Sequence, residues 1–284
     1  VDQRYNDERS KERSFVIAGL GTQYSLGKAL QVYANITQNY RAINFTDLRI
    51  NNPNFRVDSN LRDERGFTAD LGIRGEKAGR LLYDITAFYL SYEGRIGQVL
   101  RQGGAPLYLD YRFRTNVADS RTFGLETVLE YNLLYHKKKR IFRFQDLHVF
   151  FNAAWIQARY HAPDQKAIHQ NKVEMVPDWM LRSGLRYRWK WFKASVQYSY
   201  TSSQYSDATN SEWTSSAVEG KIPAYNVVDI SCGFTKNKWS LDMSLNNAMN
   251  ARYFTRRADS YPGPGIIPSE ARAFYLTLGL QLGK

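Results

Sequence analysis

The sequence predicts an all-β protein, a transmembrane up-and-down antiparallel β-barrel of which this chain supplies about eleven strands. Three observations carry that expectation. Apolar and polar residues alternate at the period of two that a strand imposes, because successive side chains face opposite sides. The connections between such runs alternate short and long, as in a meander whose tight turns all lie at one end. The runs also reach about 11 residues or more, long enough to cross a bilayer at ~45° tilt and longer than the ~5–6 usual in globular sheets.

In order, strands are predicted over Arg13–Tyr24, Lys28–Tyr40, Glu64–Glu76, Arg80–Ile96, Arg121–Leu134, Phe144–Tyr160, Asp178–Trp189, Phe192–Ser203, Ala224–Thr235, Trp239–Asn246 and Arg272–Leu282, with no helix among them. The short joins lie near Leu26 and Ala78, at Tyr135–Arg143, at Lys190–Trp191 and at Lys236–Lys238. The long ones are Arg41–Asp63, Gly97–Ser120, His161–Pro177, Gln204–Pro223 and Asn247–Ala271, all rich in Asn, Asp, Ser, Gly or Pro. A propeller would repeat a blade signature every ~40–50 residues, and none is present. A sandwich would mix its connections irregularly.

The faces agree with a barrel wall. In "FKASVQYSY", Phe192, Ala194, Val196, Tyr198 and Tyr200 oppose Lys193, Ser195, Gln197 and Ser199. In "WSLDMSLN", Trp239, Leu241, Met243 and Leu245 oppose Ser240, Asp242, Ser244 and Asn246. The closing run sets Phe274, Leu276, Leu278, Leu280 and Leu282 against Tyr275, Thr277, Gly279 and Gln281. Trp179, Leu181, Leu185, Tyr187 and Trp189 place aromatic rings at both ends of one outward face, as two interfacial girdles require, and leave Arg182, Arg186 and Arg188 facing inward. A soluble sheet with one solvated face shares the alternation, so the turn lengths and strand lengths separate the two readings.

Composition narrows the field further. Mean hydropathy is that of a polar protein, and no run approaches the ~18 apolar residues of a spanning helix, so a helical membrane protein is excluded. With 20 Tyr, 15 Phe and 6 Trp the chain is rich in the aromatics that collect at membrane–water boundaries. The single Cys232 permits no internal disulfide. Counting strands back from a C-terminus on the short-turn side puts the N-terminal "VDQRYNDERSKER" in a long, extracellular loop. A complete bacterial barrel has an even strand number and both ends on one side, so the chain is expected to be the C-terminal part of something larger.

The stretch "NNAMNARYFTRRADSYPGPGIIPSEARAFYLTLGL" resembles the end of TonB-dependent outer-membrane receptors, with Asn246, Asn247, Asn250, Tyr253 and Phe254 matching the family's Asn-Asn-Leu-Phe-Asn-x-x-Tyr-Phe-like segment. "QNYRAINFTDLRI", "QYSYTSSQYSDATN" and "KIPAYNVVDIS" look like the ferric-dicitrate or siderophore branch. The resemblance implies a 22-strand barrel in the bacterial outer membrane around an N-terminal plug, the first strands and plug lying outside residues 1–284. It also implies a ferric chelate as transported ligand, no intrinsic cofactor, outer-membrane lipid around the wall, and energy from the TonB complex through the N-terminal region. The ending "LQLGK" departs from the family's usual terminal aromatic.

A net charge of +12, from 39 Lys and Arg against 27 Asp and Glu, asks for an anionic partner. Nucleic acid is not expected, because the charges are dispersed rather than gathered into a stripe or motif. The dense run His136–Arg140 falls in a short turn and reads as solvated. Arginine suits carboxylates bidentately, so an arginine-lined vestibule fits an anionic ferric chelate such as ferric citrate or a siderophore. Candidate ligand residues are Arg256 and Arg257 in the last long loop, Gln204, Asp207 and Asn210 in the preceding one, and the inward Arg182 and Arg186. Loop solvation or internal ion pairs are the competing roles for each. "YPGPGIIP" reads as a rigid scaffold presenting the arginine pair. No catalytic constellation appears: the histidines lack metalloprotease spacing, "GLGTQY" lacks the dinucleotide fingerprint, and His161 with His169 offers two ligands at most. A passive porin-like channel and a soluble ligand-binding β domain are the alternative readings.

Overall fold

Alternation at a period of two becomes one continuous sheet in the computed structural model, which describes residues 14–27, 29–48, 55–104, 110–134, 145–163, 165–214, 217–258 and 265–282. The elements are β1 (Gly19–Ser25), β2 (Leu30–Arg41), α1 (Phe45–Leu48), β3 (Phe55–Val57), β4 (Glu64–Lys77), β5 (Leu81–Gln102), β6 (Asp110–Asn132), β7 (Gln145–His161), β8 (Trp179–Trp189), β9 (Phe192–Thr201), β10 (Gln204–Tyr205), β11 (Lys221–Ile222), β12 (Tyr225–Lys236), β13 (Trp239–Asn246), β14 (Phe254–Ala258), β15 (Gly265–Pro268) and β16 (Ala273–Leu280). Of the 12 strands in the main sheet, β3 pairs off the path; the others lie in the order β1-β2-β4-β5-β6-β7-β8-β9-β12-β13-β16. Those neighbours are antiparallel, so the eleven predicted strands form the up-and-down meander.

Register lines the two faces up. Val149, Leu185, Val196, Ile230, Leu245 and Phe274 stand directly opposite one another in turn, a continuous apolar row across six strands. Among the described residues nothing covers it: Leu185 is 46% exposed, Val196 43% and Phe274 63%. On the other face polar groups bond to each other. Tyr33 donates to Asp84 at 2.8 Å, Asn35 to Asp70 at 2.7 Å and Arg74 to Gln31 at 3.1 Å, and Lys193 pairs with Asp242 at 2.8 Å. That is the apolar-out, polar-in pattern of a barrel wall.

Aromatic clusters close the apolar face at both ends. Phe123 meets Trp155 edge-on at 5.6 Å, and Trp155 lies 6.3 Å from Trp179 at one end. At the other, Phe192 and Trp191 lie 4.9 and 5.7 Å from Phe234. The ten-residue step from Trp179 to Trp189 (189 − 179) covers about 33 Å along a strand and about 23 Å at ~45° tilt, close to the ~25 Å band of such barrels.

Inward glycines sit opposite large side chains. Tyr33 faces Gly72, Phe88 faces Gly124 and Phe150 faces Gly184. A Cβ at Gly124 or Gly184 would meet Phe88 Cζ at 2.5 Å or Phe150 Cζ at 2.7 Å, so the absent side chain is what lets each ring lie against the wall.

Two expectations need correction. The predicted Gly97–Ser120 loop is mostly strand: β5 runs to Gln102 and β6 begins at Asp110, with Gln98 opposite Arg114 and Val99 opposite Phe113. Beyond the aromatic belt no lipid selects apolar side chains, so this segment keeps its pairing without its greasy face. The bulge between Tyr92 and Arg95, with Gly94 at φ 61 and Asn116 Nδ2 bonded to its carbonyl at 2.5 Å, marks the change. A short helix also exists: α1 is fixed where Asn44 and Asp47 bond each other's backbone N–H at 3.0 Å. Arg13, Lys28, Phe144, the turn Tyr135–Arg143 and the first half of "YPGPGIIP" lie outside the described residues.

The sheet has no interior of its own. The buried apolar cluster is Val117, Ala158, Tyr160, Ile168, Val173 and Ala208, where the tops of β6 and β7 meet the long loops. Short β3 adds to the same end by pairing in parallel with β6, Phe55 opposite Arg112. Asp58 anchors it, accepting from Thr115 Oγ1 at 2.5 Å and the Asn60 N–H at 2.9 Å. Thr115 first, then Asn60, holds that carboxyl below its ordinary pKa. A depressed folded pKa gives stability present above the unfolded value and lost as pH falls through the folded one. Protection of the β3 amides against exchange, corrected for the intrinsic pH dependence, is therefore expected to fall on acidification, and Asp58→Asn to flatten that dependence; identical protection profiles for the two proteins would remove Asp58 as the anchor.

Candidate functional site

The loops at the long-connection end are cross-tied into one rim. Asn210, at φ 56, clamps the 162–178 loop by accepting from Lys172 N–H at 2.7 Å and donating to Lys172 C=O at 2.8 Å. Met175 N–H donates to Tyr205 C=O at 2.8 Å. Arg257 donates through Nη1 to Ala217 C=O at 2.6 Å and through Nη2 to Lys221 C=O at 2.8 Å, tying the last loop to the one before. Arg112 of the tall β5–β6 hairpin pairs with Glu219 at 3.2 Å, and Arg114 reaches Thr46 C=O at 2.5 Å.

These ties enclose a cavity of about 380 Å³, lined among others by Asp47, Arg112, Glu174, Asp207, Glu219 and Arg257. Its charges are nearly balanced. Asp47 is buried beside Arg41 at 2.8 Å, and Arg41 also holds Glu64 at 2.8 Å. Glu174 accepts from Tyr160 Oη at 2.5 Å. Burial, and then Glu174, push the Tyr160 hydroxyl far above its ordinary pKa, so it remains a donor. Burial alone lowers the Arg257 guanidinium from its ordinary value.

Two sequence candidates therefore share this cavity, Asp207 and Arg257. Arg256 is exposed and does not line it; the pairing of β14 with β15 is irregular between Phe254 and Arg257. Gln204 is buried in β10 opposite Ile222, and Asn210 is a loop clamp. Arg182 and Arg186 sit on the polar face of β8 instead. Arg186 pairs with Glu130 and lies 5.3 Å from the Phe150 ring, beside a second recess of about 430 Å³ lined by His148, Asp146, Arg188 and Lys193. His161 and His169 rings are 5.6 Å apart, and His169 Nδ1 accepts from Ala162 N–H at 3.2 Å, a loop contact. Among the described residues no cluster of three or more metal-ligating side chains exists.

Sequence reasoning missed Arg112, Arg114, Glu174 and Glu219. The first two carried a signal: in "YRFRT" Tyr111, Phe113 and Thr115 alternate with Arg112 and Arg114, which is strand patterning inside the supposed loop.

A single-layer sheet with an uncovered apolar face, a hydrogen-bonded polar face and a charged loop rim has the architecture of one class of protein, the β-barrels of the outer-membrane type. The chain belongs to the TonB-dependent receptor-like β-barrel family, whose model matches residues 2–248. Among solved structures it is similar to the ferric citrate transporter FecA in its unliganded form, at TM-score 0.70 and 18% identity, covering 93% of this chain and 38% of that one. It is equally similar in fold to the copper transporter OprC, at TM-score 0.70, 13% identity and coverage of 92% and 38%. The ferric yersiniabactin uptake receptor FyuA from Yersinia pestis gives TM-score 0.66 at 16% identity, covering 92% and 36%. The chain thus spans well under half the length of these structures. No curated protein matches it in sequence. The family and these neighbours are receptors and transporters, not enzymes.

Proposed function

We propose that this chain is the C-terminal part of a TonB-dependent receptor of the bacterial outer membrane, whose parent imports a ferric chelate, ferric citrate or a siderophore. The observation that carries the reading is the rim cavity, where the half-buried Arg257 has no carboxylate partner among the described residues, at the mouth of a polar-faced barrel wall. A net charge of +12 supports an anionic chelate overall, because it draws anions towards the rim. Family membership supports a plug, a 22-strand closed barrel and a TonB contact supplied outside residues 1–284. Arg256, Gln204, Asn210, Arg182 and Arg186 remain proposed ligand contacts or supports, with Arg182 and Arg186 placed along the exit path rather than at the rim.

Cells whose sole receptor is the intact parent are expected to accumulate radiolabelled iron from ferric citrate or a ferric siderophore, and to stop when a protonophore collapses the inner-membrane gradient. Uptake indifferent to the protonophore would show a passive channel instead.

A further inference from the structure

At the short-turn end of the sheet, lysines are interleaved with tryptophans. Lys190 lies between Trp189 and Trp191 in the β8–β9 turn, and Lys236 and Lys238 flank Asn237 in the β12–β13 turn, next to Trp239. All three lysines are exposed, and so are the three tryptophans. The neighbouring cations of the polar face are matched, Arg188 with Asp146 and Lys193 with Asp242. Among the described residues Lys190, Lys236 and Lys238 have no carboxylate partner.

Register aims two of them at the apolar side. Lys236, the last residue of β12, stands opposite Trp239 and in step with Ile230, Cys232 and Phe234 on the outward face. Lys190 Nζ lies 5.4 Å from the centre of the Trp189 ring, and Trp189 shares that face through Phe192 and Phe234. The two turns are fixed together, because Thr235 N–H donates to Trp191 C=O at 2.8 Å and the Trp191 ring lies 5.7 Å from Phe234. Each lysine is one residue from that bonded pair, so their Cα atoms are within about 13 Å of each other, a gap that two four-carbon stems span. Lys190 also holds φ 49, in the left-handed region that favours glycine or asparagine, and the matching position of the other turn is Asn237 at φ 53. Turn geometry alone does not call for a lysine there.

We propose that these two turns bind an anionic phospholipid of the leaflet that meets the short-turn end. Its phosphate sits between Lys190 and Lys236, Lys238 adds charge, and its acyl chains lie along the uncovered row of Leu185, Val196 and Ile230. Tryptophan suits this level of a bilayer, offering an apolar body and one N–H for headgroup oxygens. A zwitterionic lipid brings an ammonium that the lysines repel. An acidic protein segment supplies carboxylates but leaves the apolar row uncovered. The inference rests on the membrane placement of the wall and is independent of the transported chelate.

The test uses the intact receptor in neutral detergent, titrated with phosphatidylglycerol, phosphatidylcholine, glycerol 3-phosphate or hexaglutamate, with bound molecules counted by native mass spectrometry. Phosphatidylglycerol is expected to bind tightest. A lysine beside an anionic lipid surface is worth roughly fivefold in affinity, so Lys190→Asn combined with Lys236→Gln is expected to lower phosphatidylglycerol binding roughly tenfold or more, towards the level of phosphatidylcholine. Asparagine suits the left-handed turn, so thermal unfolding of the double variant without added lipid should match the unaltered receptor. Lys166→Gln, exposed in a loop at the opposite end, should leave lipid binding unchanged. Equal binding of the two lipids, glycerol 3-phosphate or hexaglutamate binding as tightly as phosphatidylglycerol, a silent double variant, an equal loss in Lys166→Gln, or a double variant unstable without lipid would each overturn the proposal. Ferric-chelate uptake is read separately, so failure here leaves the transport reading standing.

Discussion

Replacing Val196 by arginine is expected to cost the barrel about 2–4 kcal/mol, the price of a cation at the bilayer midplane. Val196 stands midway between the two aromatic ends of the sheet, opposite Leu185 on one side and Ile230 on the other, on a face with nothing over it. The neighbouring Gln197→Arg is the control. Gln197 points to the polar face, where its amide donates to Ser199 at 3.2 Å, so a charge there meets water and polar groups. Urea unfolding of the intact receptor in lipid vesicles measures both. Equal losses at the two positions would mean that the faces are not lipid and lumen.

Gly184→Ala is expected to destabilise the wall by about 1–3 kcal/mol or more, as overpacking does. The new Cβ would sit 2.2 Å from the Val196 carbonyl oxygen and 2.7 Å from Phe150 Cζ, and the first of these is backbone that cannot swing away. Adding Phe150→Ala is therefore expected not to rescue it. Gly72→Ala makes the opposite case, because its three nearest atoms, at 2.3–2.8 Å, all belong to the Tyr33 side chain. Tyr33→Ala should relieve that clash, leaving the lost Tyr33 bonds to Asp84 and Thr86 and the lost contact of Arg74 with its ring. Rescue at both sites, or at neither, would contradict the backbone-against-side-chain distinction.

The contrast between those glycines shows what the sequence could and could not disclose. Lipid on one face and water on the other force a period of two, which is why Trp239–Asn246 was legible to the residue. The same rule misled over Gly97–Ser120, since a hairpin standing in water owes its pairing to register alone. Site residues were legible as chemistry but not as company. Arg257 meets Ala217 and Lys221, and Asn210 meets Lys172, across separations of about forty residues that no local pattern encodes. Arg256 and Arg257 looked equivalent because strand β14, which leaves Arg256 exposed and Arg257 half-buried on the cavity, lies in a stretch of mixed polarity read as loop.

The uneven spacing of the strands bears on the order in which the wall is built. β8 and β9 are joined by the two residues Lys190 and Trp191, whereas β9 reaches β12 only after the loop that carries β10 and β11. Closing a loop costs about 0.6 kcal/mol more for each doubling of its length, so the tight hairpins β4–β5, β8–β9 and β12–β13 zip before the pairings that bridge them. Each hairpin then arrives with its greasy side already assembled and its rim segment still loose. The rim, including the meeting of Asp207 with Arg257 on one cavity, is consequently a late product of assembly: it cannot exist until adjacent hairpins have docked side by side.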